Sequence, residues 1–152
     1  MPDEKKLQTV QHKKNRLGIA GWVYGGRYGA ERYAYTLHRI TGLGILFYFI
    51  LHIFATGSRI WGEAAWTRTM ALFDSPVFKA GEFLVFIAFA YHALNGLRLL
   101  FTELGCWMGK PQRPVIPYKN AVRRQRPALV VLMIIALVII ILGGFDFYLL
   151  GE

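Results

Sequence analysis

Acidic residues are scarce in this chain. Nine Asp and Glu stand against 18 Lys and Arg over 152 residues, a formal net charge of +9. There is one cysteine, Cys106. A lone thiol can neither close an internal disulfide nor hold an iron–sulfur cluster, so Cys106 reads as an inert small residue. Ala128 to Phe145 lacks charge altogether. No phosphate-binding glycine loop, nucleophile–base pairing or internal repeat is present. Those absences remove the signatures of nucleotide binding, covalent hydrolysis and inverted-repeat transport. Gly18 to Gly26 is too short and too rich in glycine to be the apolar core of a secretory signal.

Apolar residues, by contrast, are abundant and clustered. The chain is 55% hydrophobic, and three segments reach the roughly 20 residues needed to cross a bilayer core. They lie at about 32–58, 77–103 and 127–150. Residues 1–27 form a polar, basic arm with no packed element expected. The first helix is expected to start between Tyr28 and Arg32, after Gly25-Gly26. Asp74-Ser75-Pro76 is a helix-start signal for the second span, and Pro127 suits the first helical position of the third. Ser58 to Pro76, with Trp61 and Trp66, reads as a loop on the membrane surface. Gly105 to Tyr118, with three prolines, reads as a second loop. The expected fold is all-α: three transmembrane helices that need partner chains to complete a bundle.

Charge assigns topology. Eight Lys and Arg precede Ile40, three lie between the first two spans (Arg59, Arg68, Lys79), and seven run from Arg98 to Arg126. The positive-inside rule then puts the N-terminus and the second loop in the cytoplasm and the C-terminus outside. The basic face needs no nucleic acid to explain it. It can meet anionic lipid or a soluble partner.

Two histidines lie inside apolar runs, His52 in the first span and His92 in the second. An imidazole in hydrocarbon is costly and is by default a functional-site hypothesis. Asn95 and Gly96 share the helix face of His92, and Gly96 clears space beside the ring for a flat or bulky group. A neutral imidazole beside a cleared surface can present a ligand to haem iron. It can equally hydrogen-bond a neighbouring helix. Tyr28, Arg32, Tyr35 and Arg39 form one aromatic and basic stripe. That stripe can be an interfacial belt or a site for a polar-headed ligand at the membrane edge.

Leu37-His38-Arg39-Ile40-Thr41-Gly42 resembles the first-helix motif of the cytochrome b556 membrane-anchor subunit of succinate dehydrogenase (succinate:quinone oxidoreductase). Tyr91-His92-x-x-x-Gly96-x-Arg98 resembles that family's second-helix motif. The resemblance covers about Arg32 to Glu103. It implies a non-catalytic subunit in the inner (cytoplasmic) membrane, bound to an iron–sulfur subunit, a flavoprotein subunit and a second anchor chain. It implies haem b with His92 as an axial ligand, and quinone as the electron acceptor. It places Arg39 at the quinone site and His38 near the quinone and a haem propionate, with Tyr35, Arg32 and Arg98 as further candidates for those groups. Tyr35 departs from the Ser that quinone-binding relatives often carry. His52 departs from single-haem relatives and is similar to two-haem ones. If Arg39 and Arg98 both mark the inner interface, His52 and His92 differ in depth by roughly 10 Å. That difference implies two haems, each completed by the second anchor chain; one haem with His52 as a packed polar residue, or an offset between the helices that brings both imidazoles to one haem, stay open beside it. A haem-free structural anchor and the anchor of a quinol:fumarate reductase stay open.

Arg39 generates the first test. Replacing it with Leu should slow succinate-to-quinone electron transfer by on the order of 10²-fold, the scale of a lost charge-stabilising donor. Succinate oxidation by artificial acceptors should stay near wild type. Equal loss in both assays would assign Arg39 to assembly instead.

Overall fold

The structure is a computed structural model that describes residues 29–110 and 121–150. The basic arm, Tyr28 and most of the second loop lie outside the described residues. Helix α1 runs Ala30–Gly57 and is followed by a 3-10 turn, Ser58–Trp61. Helix α2 is Glu63–Phe73 and α3 is Pro76–Glu103. A 3-10 turn, Ala121–Gln125, leads into α4, Arg126–Phe145, which ends in a π-helical turn, Asp146–Leu150. Among the described residues there is no strand. Among the described residues, three helical segments are long and apolar enough to cross a membrane: Ala30–Trp61, Pro76–Glu103 and Arg123–Leu149. Helices suit that setting because every backbone N–H and C=O must be satisfied internally in hydrocarbon.

The start of α3 follows from its sequence. Ser75 is extended (φ −140°, ψ 151°), its hydroxyl accepts from the Phe78 N–H, and Pro76 opens the helix. Gly105, at φ +78°, closes it. The Cys106 N–H donates to the Phe101 carbonyl and the Gly105 N–H to that of Thr102, which is the Schellman arrangement. A left-handed residue is required there, and glycine takes it without a Cβ clash.

The stretch expected as a loop between the first two spans is helical instead. Gly62, at φ +92°, breaks the chain after the 3-10 turn, and α2 then begins without a side-chain cap. The missing cap is why the helix start was not legible. Arg59 lies 4.2 Å from the Trp66 ring centroid and ties the turn to α2.

Helix α3 is central, packed on α1 along one side and on α4 along the other. Its contact with α4 is set by two glycines. A Cβ on Gly143 would fall 2.5 Å or less from two atoms of the Phe86 ring, and one on Gly144 would fall 3.0 Å from Phe83 Cζ. Among the described residues, Leu129 and Ala136 of α4 and Ala90 of α3 are the buried apolar ones. Beyond them, Phe83 gathers Phe147 (5.9 Å between centroids) and Tyr148 (5.3 Å) from the π-helical turn. At the opposite, basic end an ion pair between Glu31 and Arg126 joins α1 to α4.

Polarity is inverted relative to a water-soluble domain. The largest fully buried side chains are Arg98 and Asn95, while Leu43, Phe54 and Leu84 are among many large apolar side chains facing outward. With lipid as solvent, an exposed Leu costs nothing, and close packing and hydrogen bonds hold helices together.

Two alanine substitutions test the packing. Gly143→Ala should lower stability in detergent by about 1–3 kcal/mol, the usual cost of overpacking. Gly44→Ala meets nothing within 4 Å and should be neutral or gain up to about 1 kcal/mol from helix propensity. Unfolding midpoints of the two variants give the comparison, and equal midpoints would exclude a specific Gly143–Phe86 contact.

Candidate functional site

Where α1 crosses α3, two imidazoles lie face to face. The His38 and His92 ring centroids are 3.9 Å apart and the planes are inclined by 10°. Each ring also sits against a glycine of the opposite helix. A Cβ on Gly42 would be 2.8 Å from His92 Cε1, and one on Gly96 would be 3.2 Å from His38 Cε1. The glycines allow the backbones to approach closely enough for the rings to stack.

The hydrogen bonds assign the His92 tautomer. Its Nδ1 lies 3.0 Å from the His38 carbonyl oxygen and 3.3 Å from Thr41 Oγ1. A carbonyl oxygen can only accept, so Nδ1 carries the proton and donates. The lone pair is therefore on Nε2, which has no hydrogen bond among the described residues and is not among the enclosed, unpaired atoms. An imidazole whose Nδ1–H is held by a backbone carbonyl, with Nε2 free, is the usual preparation of a metal-binding histidine. Among the described residues no three His, Cys, Asp or Glu side chains gather to hold an ion by themselves. The site thus offers one prepared imidazole, the donor set that suits a haem axial position.

Toward the basic end the α1–α3–α4 contact is polar. The Tyr91 hydroxyl donates to the Ala34 carbonyl at 2.6 Å, and Asn95 Nδ2 donates to the same oxygen at 3.4 Å. Arg98 Nε donates to Asn95 Oδ1 at 2.9 Å and Nη1 to Gln125 Oε1 at 2.6 Å, while Thr102 Oγ1 lies 2.9 Å from that oxygen. Arg98 is 1% exposed and Asn95 0%. Arg98 Nη2 and His38 Nδ1 are buried with no hydrogen-bond partner among the described residues. Gln125, the residue that binds α4 to Arg98, was not identified from sequence. Its only signal was its place among Arg123, Arg124 and Arg126, ahead of Pro127.

The register between α1 and α3 changes the expected depths: it sets Arg98 level with residue 36, three residues and so about 4.5 Å from Arg39 along the helix, with Arg98 enclosed and Arg39 exposed. The contacts give the register directly: His38 lies against Gly96, and Gly42 against His92. His52 lines a cavity of about 390 Å³ together with Tyr48, Thr56, Trp66, Met70 and Glu82, formed by α1, α2 and α3. Glu82 is about 15 Å from His92 along α3. The separation of His52 from His92 is accordingly nearer 15 Å than the expected 10 Å. Tyr48, 5.7 Å from the His52 ring, and Glu82 are polar neighbours that sequence analysis did not identify.

The remaining candidates lie on the surface of α1. Arg39, Arg32 and Tyr35 are exposed, and the Arg39 guanidinium is 5.9 Å from the Tyr35 ring centroid. The structure therefore brings His38 and His92 together, keeps His52 apart, places Arg39 beside Tyr35, and encloses Arg98.

Residues 24–141, more than half of the chain, match the family described as succinate dehydrogenase/fumarate reductase transmembrane subunit. The succinate dehydrogenase hydrophobic membrane anchor subunit of Halobacterium salinarum is 28% identical over 79 residues, 51% of this chain and 61% of that relative. The chain thus matches about three-fifths of the length of that curated relative.

The buried network generates a double-mutant test. Gln125→Leu removes the acceptor of Arg98 Nη1 and leaves a buried cation short of a partner, which should cost about 3–5 kcal/mol. Adding Arg98→Leu should recover part of that loss, because the uncompensated charge is gone. Unfolding free energies in detergent complete the cycle, and additive losses would show that the two side chains are not coupled.

Proposed function

Because this chain belongs to the succinate dehydrogenase/fumarate reductase transmembrane-subunit family, we propose that it is the haem-binding anchor of a succinate:quinone oxidoreductase. A flavoprotein subunit and an iron–sulfur subunit dock on its basic, cytoplasmic face. A second anchor chain covers the apolar surface of α1, a helix with no buried residue of its own. The 15 Lys and Arg outside the first interhelical segment, against three within it, support a cytoplasmic N-terminus in the inner membrane.

The observation that carries this reading is the preparation of His92: Nδ1–H held by the His38 carbonyl, Nε2 free, and a glycine on the facing helix. His92 would hold a haem b, which supplies a one-electron relay when bound. Arg98 Nη2, with no partner among the described residues, is a spare donor of the kind a propionate accepts from. His52, with its own cavity about 15 Å away, is the candidate ligand for a second haem completed by the partner chain.

Quinone reduction takes two electrons and two protons. On this reading the headgroup lies at the membrane edge against α1. There the Arg39 guanidinium donates to a quinone oxygen and stabilises the negative charge that develops on it. Tyr35 and Arg32 stand beside Arg39 on the same exposed face and orient the ring, while His38 closes the site from the interior. The same groups would serve a quinol:fumarate reductase running in the opposite direction. The bond from His92 to the His38 carbonyl also ties α1 to α3, as a haem-free structural anchor would require.

Dithionite-reduced minus oxidised spectra and haem counts of the purified complex separate these readings. Two b-type haems per complex are expected. His92→Leu should remove the one nearer the cytoplasm and His52→Leu the other, with the polypeptide still inserted in each case. A complex without haem would leave the structural anchor. A single haem unaffected by His52→Leu would return His52 to packing.

A further inference from the structure

Resting on the haem reading of His92, we propose that Thr41 is a positioning residue whose hydroxyl sets the donor strength of the His92 imidazole. His92 Nδ1 has two oxygens in reach, the His38 carbonyl at 3.0 Å and Thr41 Oγ1 at 3.3 Å. The single Thr41 hydroxyl hydrogen is already directed at α1 backbone, with the Leu37 carbonyl at 2.9 Å and the His38 carbonyl at 3.0 Å. A hydroxyl has one hydrogen and two lone pairs. What it turns toward Nδ1 is therefore a lone pair, and Nδ1–H is shared between two acceptors.

The two acceptors differ in what sequence can change. The His38 carbonyl is backbone and is present whatever side chain stands there. The Thr41 hydroxyl is the side-chain acceptor, and the branched Thr side chain on a helix has few rotamers from which to offer it. Gly42, the next residue, receives the edge of the His92 ring. Thr41-Gly42 thus serves one imidazole twice, by making room for it and by accepting from its far nitrogen. A second acceptor on Nδ1–H draws that hydrogen outward and raises electron density at Nε2. A stronger Nε2 donor favours the ferric over the ferrous state of the iron it binds.

The test compares the full complex carrying wild-type chain, Thr41→Val and Thr41→Ser. Val keeps the branched shape and deletes the oxygen, whereas Ser keeps the oxygen and deletes the methyl. Redox titration followed at the haem absorption bands reads the effect. Thr41→Val should raise the ferrous-to-ferric ratio at fixed potential roughly tenfold, an upward midpoint shift of about 59 mV for one electron. Thr41→Ser should restore the wild-type midpoint. Loss of the haem in Thr41→Val with recovery in Thr41→Ser also supports the assignment. An unmoved midpoint in Thr41→Val, or loss of the haem in both variants, overturns it. A wild-type complex with no b-type spectrum, or one whose haems all survive His92→Leu, overturns the haem reading itself, so the two failures are distinguishable.

Discussion

The close approach of α1 to α3 is the constraint on which the rest of this structure depends. It rests on Gly42 and Gly96, which carry no side chain where an imidazole of the facing helix lies against the backbone. The space they leave is filled by His92 and His38, each lying against the glycine of the other helix. The arrangement is reciprocal, so it sets both the distance between the helices and their register. Slipping one helix by a turn would drive an imidazole into a bulkier neighbour and separate the stacked rings. From this crossing follow the level of the Asn95–Arg98 network on one side and that of the His52 cavity on the other.

In a medium without water, polar groups take over the part that apolar cores play elsewhere. Arg98 is enclosed with neutral acceptors, Asn95 and Gln125, rather than with a carboxylate. An isolated charge in hydrocarbon is expensive, and each such acceptor offsets part of the cost. The network also reaches all three long helices, through Ala34 of α1, Asn95 and Arg98 of α3, and Gln125 ahead of α4. A second link, between Glu31 and Arg126, closes the same end of the bundle. The opposite end is held by aromatic contacts around Phe83 and by α2 lying over the cavity. The polar end and the aromatic end are thus built from different forces, with the histidine pair between them.

This division suits an electron-transfer anchor as proposed above. A group that must hold a fixed imidazole at fixed depth gains from rigid packing, and glycine–imidazole contacts leave little room for the ring to rotate. A substrate that must enter and leave gains from the exposed face of α1, where Arg39 and Tyr35 lie side by side. One helix supplies both by presenting different faces, since His38 and Arg39 are adjacent in sequence but point about 100° apart around the axis.

Much of the architecture was legible in the residues alone. Hydrocarbon admits few solutions, so three apolar runs of sufficient length already determined three long helices, and Ser75-Pro76 determined where the central one starts. The same logic singled out His92, because an imidazole in an apolar run needs a reason to be there. What only the tertiary structure decided was partnership. That His38 stacks on His92, that Thr41 reaches its nitrogen, and that Gln125 receives Arg98 depend on the register between helices, which no single-helix periodicity contains. Arg98 shows the difference most plainly. By sequence it is a charge at the end of a span, where arginine commonly meets the interface. In the fold it is buried, because Asn95 and, from 27 residues along the chain, Gln125 accept from its guanidinium, while the Ala34 carbonyl of α1 holds Asn95 in place.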